Sequence, residues 1–342
     1  MKFSPLKLKD KFSKSRFSLG LDMGSSAIKF VKLRPLKDAM ELCDFSIEPA
    51  GLDLGPILKH IAESQQDTKR INLSVSGPST ITRYVNFPKM GYDEFKNALK
   101  FEAQKYIPFS LAEVNLDGHI LNPDLPDNKM LVLLAAAKKD FISQRLKLAQ
   151  DCGLQVNTID IDSLALVNAF NYNYPVSDNA KHSAVALLNI GAAVTNLDIL
   201  EGALPRLSRD IHVAGNNFTQ KLVDGLGLGF KAAEELKLNP DKERLKEITD
   251  AIEPVIANLV SEIRTSFDYF ESQSSSSVAK IYLSGAGSLL AGLKDTLADL
   301  LGIEVEYWDP LRKLEICDGI DPAKVKSSSS QLAVAIGLAL RS

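Results

Sequence analysis

Residues Leu19 to Leu33 read L-G-L-D-M-G-S-S-A-I-K-F-V-K-L, and 167 positions later Ala186 to Leu200 read A-L-L-N-I-G-A-A-V-T-N-L-D-I-L. Written one above the other, Asp22 falls on Asn189, Gly24 on Gly191, and Ser25 and Ser26 on Ala192 and Ala193, with apolar runs flanking both. Each copy predicts a strand, a tight glycine turn and a returning strand. One such hairpin is common in any sheet protein. Two in matched register, each opening about half of the chain, predict an internal duplication with a pseudo-twofold relation between domains.

Length agrees with that division, since 342 residues exceed one comfortable core. Apolar residues at 45% and charged residues at 24% are ordinary for a globular chain and exclude general disorder. Forty basic against forty-three acidic residues leave a net charge of -3, without the basic bias of a nucleic-acid binder. Cys43, Cys152 and Cys317 are far apart in sequence and in no metal-ligand spacing, so reduced thiols and no disulfide are expected. His60, His119, His182 and His212 form no zinc pattern either. No apolar run is long enough to cross a bilayer. Residues 1–16 carry six basic side chains against Asp10, which reads either as a solvated tail or as a weak electrostatic contact with an anionic membrane surface.

Facing glycine turns suit phosphate chemistry. Backbone N–H groups and small hydroxyls wrap phosphate oxygens, and glycine permits a close approach. An acid at the head of the turn, here Asp22, suits Mg²⁺ held through water. Leu21 to Lys29 (L-D-M-G-S-S-A-I-K) resembles the first phosphate motif of the actin-like ATPase superfamily, and Leu187 to Ala192 (L-L-N-I-G-A) resembles the second. Asp210 to Thr219, Gly227 to Lys237 (G-L-G-F-K-A-A-E-E-L-K) and Tyr282 to Leu293 (Y-L-S-G-A-G-S-L-L-A-G-L) are similar to its nucleoside-side motifs, and Gln331 to Arg341 to its closing helix. Within that superfamily, Ala98 to Phe109 (A-L-K-F-E-A-Q-K-Y-I-P-F) resembles the PilM family of type IV pilus assembly, related to FtsA. The resemblance covers about residues 17 to 342.

That resemblance implies a duplicated α/β fold of actin-like, ribonuclease H-like type with an inserted α+β subdomain. The expected division is a basic tail at 1–16, a first domain at 17–77 and 153–180, an insert at 78–152, and a second domain at 181–342 with its nucleoside-side part near 213–277. Independently of the family, strands are expected at Ile71–Ser76, Thr80–Phe87, Val114–Leu121 and Met130–Ala137. Helices are expected from Asp93 to Pro108, with Phe95, Ala98, Leu99 and Tyr106 on one stripe, and from Asp140 to Cys152. Pro254 is expected in the first turn of a long helix ending at Glu271, and the serine runs Ser274–Ser277 and Ser327–Ser330 in loops.

The resemblance implies ATP and Mg²⁺ as ligands, with Asp22, Gly24, Ser25, Ser26 and Lys29 on one side and Asn189, Gly191, Ala192 and Ala193 on the other. Gly215 and Asn216 read as a ribose or phosphate turn, and Gly285, Ala286, Gly287 and Ser288 as backbone against which a nucleoside lies. Glu234 and Lys237, three apart on a helix, read as a nucleoside contact or as a surface ion pair. Asp162 either orients an attacking water or caps the helix from Ser163. Asn189 stands where the superfamily has Asp, removing a charge from the metal site, so hydrolysis is expected to suffer more than binding. For partners, the resemblance implies the cytoplasmic N-terminal peptide of a PilN-like membrane protein, held near Tyr106, Ile107, Pro108 and Phe109, with other pilus assembly proteins at the inner membrane's cytoplasmic face. The alternatives are an active actin-like ATPase or phosphotransferase, or an FtsA-like or GspL-like membrane-complex component. FtsA-like and GspL-like proteins continue into a membrane helix or span, for which no segment is expected here.

Overall fold

The computed structural model describes residues 17–175, 183–240 and 243–341, so the basic tail lies outside the described residues. β1 (Ser18–Met23) and β2 (Ala27–Pro35) form the first hairpin, with Asp22 opposite Lys29. β3 (Met40–Pro49) extends it, and helix α1 (Gly55–Ser64) leads to β4 (Arg70–Val75), parallel to β1. An excursion follows through β5 (Thr80–Pro88), α2 (Tyr92–Ala103), β6 (Val114–Leu125) and β7 (Lys129–Lys138). Helix α3 (Lys139–Asp151), β8 (Gln155–Ile161) and α4 (Asp162–Asn173) then complete the first half.

The second hairpin is β9 (Ala184–Ile190) and β10 (Thr195–Glu201), extended by β11 (Leu204–Ile211). Helices α5 (Gly215–Leu226), α6 (Phe230–Leu238) and α7 (Leu245–Glu271) precede β12 (Val278–Ser284), α8 (Leu293–Leu301) and β13 (Glu304–Tyr307). Last come β14 (Leu314–Ile316), α9 (Pro322–Ser328) and α10 (Ala333–Ala339).

Duplication is visible in the strand order. The first sheet runs β3-β2-β1-β4-β8 and the second β11-β10-β9-β12-β13, each an antiparallel meander joined to parallel strands. The offset of 167 also maps cross-strand partners, since Asn189 stands opposite Asn196 as Asp22 stands opposite Lys29. Helices α4 and α10 lie between the sheets, and one core joins Val31 and Leu33 to Leu187 and Leu200 through Leu166, Phe170 and Ile336. The cleft therefore sits above a shared hydrophobic floor.

Several expectations change. The end of the chain does not stay with the second domain: β14 pairs with β3 and α10 packs on β1, because the apolar face of α10 (Ala335, Ile336, Ala339) covers the first sheet. Helix α3 also leaves the insert, as Ala149 and Cys152 join Leu58 and Ile61 in the core under the first sheet. What remains is the three-stranded sheet β5-β7-β6 with α2 against it. Helix α2 stops at Ala103 rather than Pro108, its C-terminal carbonyls being taken by the amides of Lys105, Tyr106 and Ile107. Pro254 lies inside α7, which starts at Leu245; burial of Ile248 and Ile252 holds the turns ahead of it. Ser327 and Ser328 end α9, whose N-terminus is capped by Asp321 accepting from the Ala323 amide, and Ser329 and Ser330 form a 3₁₀ turn.

Candidate functional site

The two hairpin turns line a single cleft of about 370 Å³, within the usual range of ligand pockets, about 300 to 1,000 Å³. Asp22, Gly24, Ser25, Ser26 and Lys29 come from the first turn, and Asn189, Gly191, Ala192 and Ala193 from the second. Asp162 lies between them, with Ser74, Ser76, Arg145 and Asn196. Ser25, Ser26 and Ala193 are exposed, whereas Asp22 is 7% exposed.

Charge is concentrated on the first side. Lys29 Nζ donates to Asp22 Oδ2 at 2.9 Å, joining residues that the hairpin register sets opposite each other. Burial lowers the Lys29 pKa, but the charge and hydrogen bond of Asp22, helped by Asp162, outweigh it and leave the ammonium above its ordinary value. Burial pushes Asp162 up to about 6; the Asp22 charge adds to this, and the hydroxyl dipoles of Ser74 and Ser76 partly offset it. Arg145 is lowered by burial and compensated in part by Asp162 and Asp22. Two acids and two cations thus share one mouth.

Asp162 does not cap its helix. It is the first residue of α4, the preceding Ile161 occupies the cap position, and the carboxylate faces the cleft instead. The second turn is neutral and tightly braced. Asn189 Nδ2 donates to Asn196 Oδ1 at 3.1 Å, Ser284 Oγ donates to Asn189 Oδ1 at 3.2 Å, and Asn196 Nδ2 donates to Asp210 Oδ1 at 2.9 Å. Asp210 Oδ2 accepts the Gly77 amide at 2.8 Å, tying the second sheet to the root of the insert.

Other expected residues stand behind the second turn. The amides of Gly215 and Asn216 donate to the carbonyls of Gly191 and Ala192 at 3.0 and 2.7 Å, so they support the turn and are not free for phosphate. Lys237 is buried rather than superficial; its Nζ reaches Glu234 Oε2 at 2.6 Å, Thr219 Oγ1 at 2.9 Å and the Gly215 carbonyl at 3.2 Å. Glu234 and Lys237 thereby fasten α6 to the start of α5. Gly285, at φ +86, leads into the 3₁₀ turn Ala286–Leu289, where a Cβ on Gly285 would stand 2.3 Å from the Ile190 carbonyl and one on Gly287 2.6 Å from the Ile190 side chain. Ser288 Oγ donates to the Gly285 carbonyl at 2.7 Å.

Asn196, Ser74, Ser76, Arg145 and Asp210 were not singled out from sequence. Asn196 was within reach, being Lys29 displaced by 167. Ser74, Ser76 and Arg145 reach the cleft only through β4 and its end and through α3, and Asp210 on β11 braces Asn196 from behind. Of the expected partner residues, Ile107 is buried in the insert core with Phe87 and Phe95. Phe109 is half-buried, with Lys138 Nζ 5.1 Å above its ring. Tyr106 stacks on Phe87 yet stays exposed, as does Pro108, and α2 adds Phe101, 77% exposed.

Donor chemistry fits a magnesium triphosphate. Gly24 leaves room that a side chain would take only by crowding the backbone, since a Cβ there would lie 2.9 Å from the Ala27 carbonyl. The Ser74 hydroxyl is buried and lines the cleft beside Asp162. Lys29 and Arg145 suit phosphate oxygens, and Asp22 and Asp162 suit a hydrated cation.

Duplicated sheets, a shared helical layer and paired turns over one cleft define an actin-like ATPase fold. A solved structure of a PilM-PilN type IV pilus biogenesis complex superposes with a TM-score of 0.84 over 95% of this chain and 98% of that one, at 28% identity. Ethanolamine utilization protein EutJ from Carboxydothermus hydrogenoformans matches at TM-score 0.55 and 13% identity, covering 95% of this chain and 90% of its own, a likeness of fold alone. The family model for type IV pilus assembly protein PilM matches residues 20–342, and the chain belongs to that family.

Proposed function

We propose that this protein is an ATP-binding scaffold of the type IV pilus inner-membrane complex, turning ATP over slowly and holding the N-terminal peptide of a PilN-like membrane protein on its insert. The observation that carries the nucleotide reading is the pair of turns lining one cleft with Lys29, Arg145, Asp22 and Asp162. A bound Mg²⁺, held through water by Asp22 and Asp162, would neutralise phosphate charge. The chain's own groups do the rest. Lys29 exchanges part of its pairing with Asp22 for phosphate, the serine hydroxyls and turn amides wrap the oxygens, and the braces behind Gly191 keep the second turn from yielding. Asn189 supplies no charge, and its amide is already committed to Asn196 and Ser284. Water activation there is correspondingly weak.

The partner reading is supported by the likeness to the PilM-PilN complex and by the exposed aromatic edge of α2 and its following turn. Among the described residues no helix is long and apolar enough to cross a membrane. Association with the cytoplasmic face of the inner membrane is proposed to run through such partners, including other pilus assembly proteins. Capture of a PilN-type N-terminal peptide tests this: Phe101→Asp should abolish it with an unchanged melting temperature, and undiminished capture by Phe101→Asp and Tyr106→Asp alike would overturn the assignment of that edge.

A further inference from the structure

Cys43 and Cys317, distant in sequence, meet at the edge of the first sheet. β14 runs parallel to β3 with Ile316 opposite Leu42, and the Cys317 amide donates to the Leu42 carbonyl at 2.9 Å. The next residues in that register are Cys317 and Cys43. Neighbouring strands lie about 4.8 Å apart, inside the roughly 4.4 to 6.8 Å between Cα atoms that a disulfide bridges. Cys43 is also the unpaired residue where the β2–β3 register shifts, a bulge that re-aims its side chain. One Glu41 oxygen and both sulfurs lie within 4.8 Å of one another. Both thiols are free and partly exposed, whereas Cys152 is buried elsewhere.

The cation in this cluster decides its chemistry. Arg34 Nε donates to Glu41 Oε2 at 2.7 Å, and Arg34 Nη2 stands 3.7 Å from Cys317 Sγ. A guanidinium keeps its charge in proteins, so it repels a divalent metal and occupies the carboxylate that would be the third ligand. Burial, then the hydrogen bond to Cys317 and the charges of Cys317 and Glu41, push Cys43 up to about 12 and keep it protonated. The sulfur that the guanidinium contacts, Cys317, is placed to attack, and Cys43 beside it to resolve.

We propose that Cys43 and Cys317 are an oxidisable dithiol, closing to a disulfide between β3 and β14 with a peroxide as oxidant. The Cys317 sulfur attacks a peroxide oxygen; the O–O bond breaks, and the departing hydroxide takes up the Cys317 proton and leaves as water. Cys317 then carries a sulfenic acid. The Cys43 sulfur attacks that sulfur, the S–S bond forms, the S–O bond breaks, and a second water leaves with the Cys43 proton. Two thiols lose two electrons and one peroxide becomes two waters. The bond ties down β14, where the chain rejoins the first sheet after leaving the second at β13.

Reduced full-length protein is exposed to stoichiometric hydrogen peroxide, alkylated and digested without reductant for mass spectrometry. The expected product is a peptide pair linking Cys43 to Cys317, with Cys152 alkylated. Cys43→Ser should leave a sulfenic acid on Cys317 that dimedone traps, Cys317→Ser should leave Cys43 reduced, and Arg34→Ala should slow closure several-fold. Alkylation of both cysteines after peroxide, disulfide dimers between chains, sulfenic acid on Cys43 first, or stoichiometric zinc retained through dialysis and lost in Cys43→Ser would each overturn the proposal.

Discussion

The two hairpins share a backbone and differ in charge. In the first, the cross-strand pair ahead of the turn is Asp22 with Lys29, an ion pair open to the cleft; in the second it is Asn189 with Asn196, an amide pair locked to Ser284 and Asp210. Duplication preserved the register while the chemistry diverged. A charged pair can be rearranged by an incoming cation and phosphate, whereas a neutral pair whose hydrogen bonds are already made gains little by moving. The first turn is therefore the ligand-responsive side of the cleft and the second its fixed wall.

The most disruptive way to break the comparison is to push on the fixed wall. Gly285→Val should destabilise the fold by about 3 kcal/mol or more, because a left-handed backbone and a Cβ 2.3 Å from the Ile190 carbonyl cannot both be accommodated. Thermal unfolding reads this directly, and an unchanged transition would mean that the second turn yields easily. On the responsive side, Asp22→Ala should weaken ATP binding in Mg²⁺ about tenfold, or about 1.4 kcal/mol, while binding without Mg²⁺ is unchanged or tighter because Lys29 is released. Calorimetry with and without the metal separates these arms, and equal losses in both would show that Asp22 acts by structure alone.

A smaller effect concerns Asp162. Its carboxyl releases a proton near 3.8 in the unfolded chain and near 6 in the folded one. Between those values the folded state holds the extra proton, so stability falls as pH rises through that window and the cost is complete above it. Asp162→Asn should raise stability at pH 7 by on the order of 1 kcal/mol and flatten the profile between those pH values in denaturant titrations. A destabilised variant would show that the charge is needed for folding. Smallest in binding is Asn189→Asp, which restores symmetry of charge: nucleotide affinity should stay within a few-fold while steady-state ATP turnover rises. Brisk hydrolysis by the unaltered protein would contradict slow turnover outright, and no gain in the variant would turn attention to Asp162.

Much of the cleft was legible because both turns are local objects. Alternating apolar residues, a glycine and small neighbours specify a hairpin within about fifteen positions, and the repeat at 167 places the second copy. Asp162 read from sequence either as a water-orienting acid or as a helix cap, and that it lies in the cleft was not decided locally, since its neighbours Ser74 and Ser76 arrive from another strand. Of the residues in motifs resembling nucleoside contacts, Gly215 and Asn216 spend their amide hydrogen bonds on the second turn and Lys237 spends its own on Glu234, Thr219 and the Gly215 carbonyl, a distinction visible only once donors meet acceptors. Ile107 read as a candidate surface because sequence shows its apolarity and not which side of the insert it faces.

By itself the sequence determined the duplicated hairpins and the α/β alternation, because these rest on periodicity and turn chemistry that act over a few residues; the PilM family was legible separately, through the resemblance of its ordered motifs. Tertiary structure alone decided that β14 and α10 return to the first sheet, that Pro254 sits within α7, and that Cys43 lies beside Cys317. Each of those depends on burying an apolar face against a partner remote in sequence, and such a contact leaves no mark in the local order of residues.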